Sequence, residues 1–218
     1  MAQPDSRRRP GGRSARVRAA VLAAADALLA ESGLDGLTLD AVADRSGVHR
    51  TTLYRRWGSV PMLLVDLLDA GAEDDWQAPD TGSLEGDLVA VNREVHAALT
   101  AEPSVTAAVV AASFRSPEAR EALHRFWEDR YERCAAVVHR AVERGEAPPG
   151  TDPRRLLVAA TGPLYHQRIL LGRPVTREEA EGYARAACAA AASGLLRDCG
   201  GDTSPGGGPA RGGPGRSR

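Results

Sequence analysis

The segment at residues 46–59, SGVHRTTLYRRWGS, combines basic, hydroxyl and aromatic side chains around one leucine. Arg50 is able to donate two hydrogen bonds to guanine O6 and N7, and the methyl group of Thr51 is able to contact a thymine methyl group. Tyr54 is long enough to reach a base edge or a phosphate. These three side chains therefore have the chemistry needed to read a DNA sequence in the major groove.

Other polar side chains nearby suit phosphate oxygens, which position a protein on DNA without carrying sequence information. They are Thr38, His49, Arg55, Arg56 and Ser59. The three arginines at residues 7–9 could also follow the DNA backbone or enter an adjacent minor groove. The alternative is a solvated, arginine-rich helix face on a small bundle, and the segment alone does not decide between the two.

Short helices must position these side chains. Apolar residues recur at helical spacing from Ser14, the expected N-cap, to Gly33, which is expected to end the first helix. Thr38 is expected to cap a second helix, which ends at Gly47. A third helix is predicted at about 49–57, and a fourth begins after Ser59.

The third helix has two distinct faces. Leu53 and Trp57 are four residues apart, so both are expected to face the core. Thr51, Tyr54 and Arg55 then face outward. Two short helices joined by a glycine-containing turn are typical of a helix-turn-helix, in which the second helix enters the major groove of DNA.

The charge of the chain is unevenly distributed along its 218 residues, although the total is only −1. Residues 1–60 carry ten arginines against six acidic residues, whereas residues 61–198 carry fifteen against twenty-two. The terminal residues 199–218 add three arginines and one acid. A basic N-terminal segment followed by an acidic remainder indicates that the N-terminal segment binds a polyanion.

Residues 16–68 resemble the TetR (tetracycline-repressor-like) family of transcriptional regulators. The resemblance rests on Gly33 after the first helix, Thr38 opening the second, Ala43 and Gly47 in the turn, and Leu53-Tyr54 followed by the aromatic Trp57. One position departs from the family pattern. A lysine commonly opens the fourth helix in this family, and Val60 stands there, so one phosphate contact is expected to be missing.

The resemblance implies a homodimer that binds a palindromic operator in double-stranded DNA and responds to a small-molecule effector. It places the base-reading positions at Arg50, Thr51 and Tyr54, and the phosphate contacts at Thr38, His49, Arg55 and Arg56. The implied fold class is all-α, with an N-terminal three-helix helix-turn-helix DNA-binding domain followed by a larger helical ligand-binding and dimerisation domain.

The rest of the chain also reads as helical. Prolines and glycines separate helices predicted near 83–100, 104–114, 117–145, 152–171 and 176–197. We therefore expect a disordered basic arm at 1–13, the DNA-binding domain at 14–60, and the ligand and dimer domain at 61–198. A disordered Gly/Pro-rich tail is expected at 199–218.

Aromatic residues are scarce, at 4% of the chain, and several fall in the C-terminal half. Such side chains, with a few polar groups among them, suit an apolar ligand cavity. The main candidates are His96, Phe114, Trp127, Tyr131, Tyr165 and His166. Leu123, Phe126, Arg130 and Cys134 lie on neighbouring turns of the same predicted helix as Trp127 and Tyr131 and belong to the same candidate cavity. The alternative is that these residues only pack the core.

The last two predicted helices carry small and apolar residues at helical spacing, which permits close approach of a neighbouring helix. The candidates for a dimer interface are Leu164, Leu171, Ala180, Ala184, Ala187, Cys188, Ala191 and Leu195. The alternative is that this stripe packs within the same chain.

Several other classes of protein are not supported. The histidines lack metal-ligand spacing, the three cysteines form no CxxC pair, and no nucleotide or hydrolase motif is present, so we expect no metal, no cofactor and no enzyme. No apolar run is long enough to span a membrane, and we expect a cytoplasmic protein. The sequence therefore predicts a ligand-responsive repressor, with an activator of the same fold or a helical binding protein without DNA as alternatives.

Overall fold

The computed structural model describes residues 11–73 and 76–198, which contain nine α-helices. The helices are α1 Gly11–Ser32, α2 Leu39–Ser46, α3 Arg50–Arg56, α4 Val60–Glu73, α5 Leu84–Thr100, α6 Val105–Ser113, α7 Pro117–Glu143, α8 Pro153–Tyr165 and α9 Arg177–Ala192. A π-helical segment, His166–Leu170, continues directly from α8. No β-strand occurs within these described ranges, and the predicted all-α fold is confirmed.

Side-chain caps fix the starts of most helices. The Thr38 hydroxyl accepts the Ala41 N–H at 3.0 Å, and Gly47, at φ +67°, ends α2 in the left-handed conformation that glycine adopts without strain. Thr176 and Glu179 form a reciprocal capping box at α9. Serine hydroxyls cap α5, α6 and α7 in the same way, from Ser83, Ser104 and Ser116.

The first helix differs from its prediction at its start. It begins at Gly11, and Ser14 lies inside it instead of capping it. The Ser14 carbonyl and hydroxyl oxygens accept hydrogen bonds from Arg56 Nη1 at 3.2 Å and 3.0 Å, so this serine links α1 to α3. The arginines at 7–9 and the predicted tail at 199–218 lie outside the described residues.

One apolar core joins the helix-turn-helix to the rest of the molecule. Leu53 of α3 and Trp57, the residue that caps the end of α3, are buried in the same cluster as Leu63 of α4 and Val109 of α6. Helix α4 therefore belongs to both halves of the chain, because it packs against α1 on one side and against α6 and α7 on the other.

A second core lies among α5, α7, α8 and α9. The buried Asn92 of α5 donates two hydrogen bonds from Nδ2, to the Ala160 carbonyl of α8 at 2.9 Å and to the Ala180 carbonyl of α9 at 2.8 Å. A single side chain thus ties three helices together by their main chains.

The alanines predicted for a dimer interface lie in this interior. Leu164, Ala180, Ala184, Ala187 and Ala191 are each at most 3% exposed within one chain. The alanines of α9 face α5 and α8, and Leu164 of α8 packs against Leu99 and Val175, so these side chains are enclosed within one chain. The intramolecular alternative describes them correctly, because small side chains permit close helix approach within a chain as well as between chains.

The remaining interface candidates lie nearer the surface. Leu171 and Leu195 are 49% and 71% exposed, and Cys188 is half-buried beside the second core. No single helix in the described ranges is long and apolar enough to cross a membrane, although α5 and α6 pass that test as a pair bent by 79° at their junction.

Candidate DNA-reading helix and ligand cavity

The two faces of α3 are arranged as the sequence predicts. Leu53 is fully buried and Trp57 is 6% exposed, whereas Thr51 and Arg55 are exposed and Tyr54 is half-exposed. Thr51, Tyr54 and Arg55 thus share an open surface that no described helix covers. A helix with this surface is able to enter a groove without unfolding any part of the head, which is the unit formed by α1, α2 and α3.

Arg50 is held by acidic residues of α2. Its Nη2 lies 3.2 Å from both carboxylate oxygens of Asp44, and its Nε lies 3.5 Å from an Asp40 oxygen. The hydrogen bond to Asp44, with the charge of Asp40, raises the pKa of the Arg50 guanidinium above its ordinary value. Because the side chain is more than half exposed, these carboxylates orient it at the surface of the turn without burying it.

The predicted phosphate contacts divide into two groups. Arg55 is exposed and makes no hydrogen bond or ion pair with the described residues, and His49 is exposed at the start of α3 without forming a side-chain cap. Arg56 instead bonds to Ser14 and stacks on the Trp57 ring at 4.9 Å from its centroid. The Thr38 hydroxyl is exposed and already accepts the Ala41 N–H.

A carboxylate missed by the sequence analysis connects this helix to its surroundings. Asp66 of α4 accepts the Trp57 Nε1–H at 2.8 Å and the Arg18 Nε–H of α1 at 2.9 Å. It therefore ties α1, α3 and α4 together at the end of the recognition helix. The available signal was an acid between Leu64-Val65 and Leu67-Leu68, in a helix that is otherwise apolar over these turns.

A cavity of about 620 Å³ lies beyond α4, a size typical of small-molecule sites. Its walls come from α1 and α4 through α8, together with the loop residue Trp76. The lining residues are Asp26, Leu67, Leu68, Ala70, Trp76, Val91, Glu94, Val95, Ala98, Val105, Thr106, Phe126, Trp127, Arg130, Cys134, Leu157, Thr161 and Tyr165. The next residue after Asp66 is thus a wall residue of this cavity.

The structure brings part of the predicted ligand set to this cavity. Trp127 and Tyr165 line it, with ring centroids 5.4 Å apart in an edge-to-face arrangement. Tyr131 stacks on Trp127 from behind, at 5.8 Å between centroids. Burial raises the pKa of Tyr165, so its hydroxyl stays protonated, and burial raises the pKa of the Cys134 thiol to about 11.

The other predicted ligand residues lie elsewhere. Phe114 is 67% exposed at the end of α6, and His166 is exposed at the start of the π-helical segment. His96 Nε2 lies 2.7 Å from the Val175 carbonyl oxygen, which fixes the loop before α9. None of these three lines the cavity.

Arg130 is the charged residue among the predicted cavity group of the long helix, and it lies in the cavity wall together with Phe126 and Cys134 of the same group. Its guanidinium lies over the rings of Trp76 and Phe126, at 4.1 Å and 5.0 Å from their centroids, and its buried Nη1 has no hydrogen-bond partner among the described residues. Burial lowers its pKa, although Asp129 acts in the opposite direction.

No group of three histidine, cysteine or acidic side chains within the described ranges is placed to hold a metal ion. Cys134 and Cys188 are free thiols.

Comparison with protein families gives two matches. Residues 21–60 match the family described as bacterial regulatory proteins, tetR family, and residues 78–187 match the tetracyclin repressor-like C-terminal domain. The first match covers the end of α1 through α3, and the second covers most of the cavity and the second core. Together they divide the chain at α4.

Individual relatives agree with these matches. The chain is 36% identical over 169 residues to the HTH-type transcriptional regulator AqdR of Rhodococcus erythropolis, covering 76% of this chain and 81% of the relative. It is 32% identical over 160 residues to the DNA-binding transcriptional repressor TetR of Mycobacteroides abscessus, covering 72% and 84%. The crystal structure of the TetR family transcription regulator SCO0332 superposes with a TM-score of 0.67 at 29% identity, covering 80% of this chain and 97% of that one. These relatives are regulators and not enzymes, so the prediction that the chain is not an enzyme is confirmed.

Proposed function

Because the chain belongs to the TetR family of bacterial transcriptional regulators, we propose that it is a repressor that binds a palindromic operator as a homodimer and leaves it when a small molecule occupies the cavity. One observation carries this proposal. Helix α4 forms a wall of the cavity with Leu67 and Leu68, and the residue before them, Asp66, holds the end of the recognition helix.

The exposed face of α3 supports the DNA-reading part of the proposal. Arg50, Thr51 and Tyr54 are the proposed base contacts, with Arg50 exchanging the carboxylates of Asp40 and Asp44 for a guanine edge. Thr38, His49, Arg55 and Arg56 are the proposed phosphate contacts. Arg55 and His49 are the most accessible of these, because Arg56 is engaged by Ser14 and Trp57.

The proposed homodimer uses the outer faces of the last two helices. On α9 a second stripe of small residues, two positions after the buried one, lies nearer the surface at helical spacing: Gly182, Ala186, Ala189 and Ser193. A β-carbon added at Gly182 would meet no atom within 4 Å, so the backbone there is open to close approach. Beside it Val158 of α8 is 48% exposed, and Leu170 is 66% exposed. A two-fold pair of such faces suits an operator with two half-sites.

Ligand control follows from α4. A molecule in the cavity acts on DNA binding only through its different affinity for the DNA-bound and DNA-free arrangements. A ligand that displaces Leu67 and Leu68 shifts Asp66, and with it the hydrogen bond to Trp57 at the end of α3. Such a shift of Asp66 is proposed to change the spacing or tilt of the two recognition helices in the dimer.

Repression is favoured over activation by the relative whose name describes it as a DNA-binding transcriptional repressor. Because bacterial DNA lies in the cytoplasm, the proposed site of action is the cytoplasm. A helical binding protein that does not use DNA would leave the open polar face of α3 and the arginine-rich turn without a role.

The experiment is to recover bound fragments from genomic DNA, define the operator, and measure affinity by fluorescence anisotropy. Arg50→Ala is expected to weaken operator binding about 10- to 100-fold and to relax the base preference at one position in each half-site. Arg125→Ala, which removes an exposed arginine of α7, is the matched control and should leave affinity unchanged. Unaltered binding by Arg50→Ala would remove Arg50 from the base-reading set, and failure to retain any duplex at low salt would refute the DNA-binding proposal.

A further inference from the structure

We propose that the effector is an organic anion, an apolar carboxylic acid in its ionised form, whose carboxylate pairs with Arg130 inside the cavity. This inference rests on the proposed function, because it names the chemical class of the molecule that fills the same cavity. It does not depend on how occupancy is transmitted to DNA.

The walls of the cavity suit a ligand whose body is apolar. Aromatic rings of Trp76, Phe126, Trp127 and Tyr165 line it, together with leucine and valine side chains from α4, α5 and α8. Apolar and aromatic walls with few polar groups are typical of sites that bury most of a small ligand. A sugar or other polyol would leave most of its hydroxyl groups unsatisfied against these walls.

Arg130 supplies the polar complement. Its guanidinium faces are covered by the Trp76 and Phe126 rings, which leaves the donors at its edge for a partner in the same plane. The Nη1 has no such partner among the described residues and lies within the wall, while Arg130 as a residue lines the cavity, so a rotation of the guanidinium brings this donor to a ligand. A buried charged donor without an acceptor is costly, and a carboxylate is the acceptor that matches a guanidinium edge best.

Tyr165 adds a second donor to the wall of the same cavity. Its hydroxyl remains protonated because burial raises its pKa.

A cationic effector is the competing class, because Asp26 and Glu94 also line the cavity. Both acids are exposed, however, and Glu94 already accepts the Trp76 Nε1–H at 2.7 Å. Exposed carboxylates are screened by water and salt, whereas the Arg130 Nη1 is shielded from both. Among the described lining residues, the buried charged atom without a hydrogen-bond partner is therefore the Arg130 Nη1.

The test is calorimetric titration of the full chain, without DNA, with three probes of one shape: 4-(1-pyrenyl)butyrate, its primary amide, and the corresponding amine. Wild-type protein should bind the carboxylate at least about tenfold more tightly than the amide at neutral pH. Arg130→Met should reduce this preference to less than about threefold, while Arg130→Lys, which keeps the charge but not the planar edge, should retain part of it. Arg125→Met, an exposed position on the same helix, is the control and should bind like wild type.

Three results would overturn the inference: equal affinity of wild-type protein for carboxylate and amide, tighter binding of the amine, or no binding of the carboxylate. The wild-type comparison stands even if Arg130→Met does not fold. Adding operator DNA separates the two proposals. If the carboxylate binds and the operator stays occupied, ligand-controlled release is refuted and the proposed effector class stands. If only the amide releases the operator, the effector class is refuted and ligand-controlled release stands.

Discussion

The functional polar side chains are exposed in the N-terminal half of the chain and buried in the C-terminal half. The head displays Arg50, Thr51, Tyr54 and Arg55 on an open surface, and its interior is apolar apart from the contacts of Asp66. The C-terminal half encloses its decisive polar groups, with Asn92 fully buried and the Arg130 Nη1 shielded within the cavity wall. In the head, the residues proposed to bind DNA are therefore different from the residues that stabilise the fold. In the C-terminal half, Asn92 serves packing and Arg130 is proposed to serve binding, and both give up contact with water to do so.

The largest effect should come from the two faces of α3. Trp57→Ala removes a buried ring and its hydrogen bond to Asp66, so the free energy of unfolding should fall by about 3–5 kcal/mol. Tyr54→Ala, from the exposed face, should change it by less than about 0.5 kcal/mol while weakening operator binding. Urea unfolding measures both variants. Similar losses of unfolding free energy in Trp57→Ala and Tyr54→Ala would contradict the division of α3 into a core face and a DNA face.

A polar residue should dominate stability in the other half. Asn92→Ala leaves the Ala160 and Ala180 carbonyls without their side-chain donor and opens a small void, so unfolding free energy should fall by about 2–4 kcal/mol. Its neighbour Arg93 forms an exposed ion pair with Glu181, and Arg93→Ala should cost less than about 1 kcal/mol. A loss at Asn92 no greater than that at Arg93 would contradict the importance of the buried junction.

The smallest effect should separate two adjacent arginines in the head. Arg55→Ala should lower the magnitude of the slope of log affinity against log salt concentration by about 2, as expected for one lost phosphate contact in each half-site of the dimer. Arg56→Ala should change the slope much less, because Arg56 is held by Ser14 and Trp57. Anisotropy titrations at four salt concentrations measure both. Equal slopes for the two variants would mean that Arg56 leaves its intramolecular contacts on DNA.

The same contrast explains what the sequence could predict. The orientation of Leu53 and Trp57 depends on the period of a single helix, and the caps at Thr38 and Gly47 depend on neighbouring residues, so local reasoning located them. TetR family membership and the all-α fold are confirmed on those grounds. The cavity instead is lined by residues that are distant in the sequence, from Asp26 to Tyr165. The periodicity of a helix does not show which of its apolar residues line a cavity and which pack against another helix.

Two further failures have the same origin. Small residues on α9 indicate close helix approach without saying whether the neighbour belongs to the same chain, and Ala184 and Ala187 proved to face α5 and α8. Aromatic type alone also does not place a side chain in a cavity. Phe114 follows the last turn of α6 and points to solvent, while Trp76, in the loop before α5, forms part of the wall.

The chain contains three tryptophans, and their positions give it built-in optical reporters. Trp57 emits from the end of the recognition helix with its indole N–H bound to a carboxylate, while Trp76 and Trp127 emit from the wall of the cavity. In variants that keep either Trp57 or the Trp76 and Trp127 pair, quenching of the pair would record occupancy of the cavity, and a spectral shift of Trp57 would record the state of the head. Ultraviolet excitation of such unlabelled variants would therefore follow each end of the proposed signal separately.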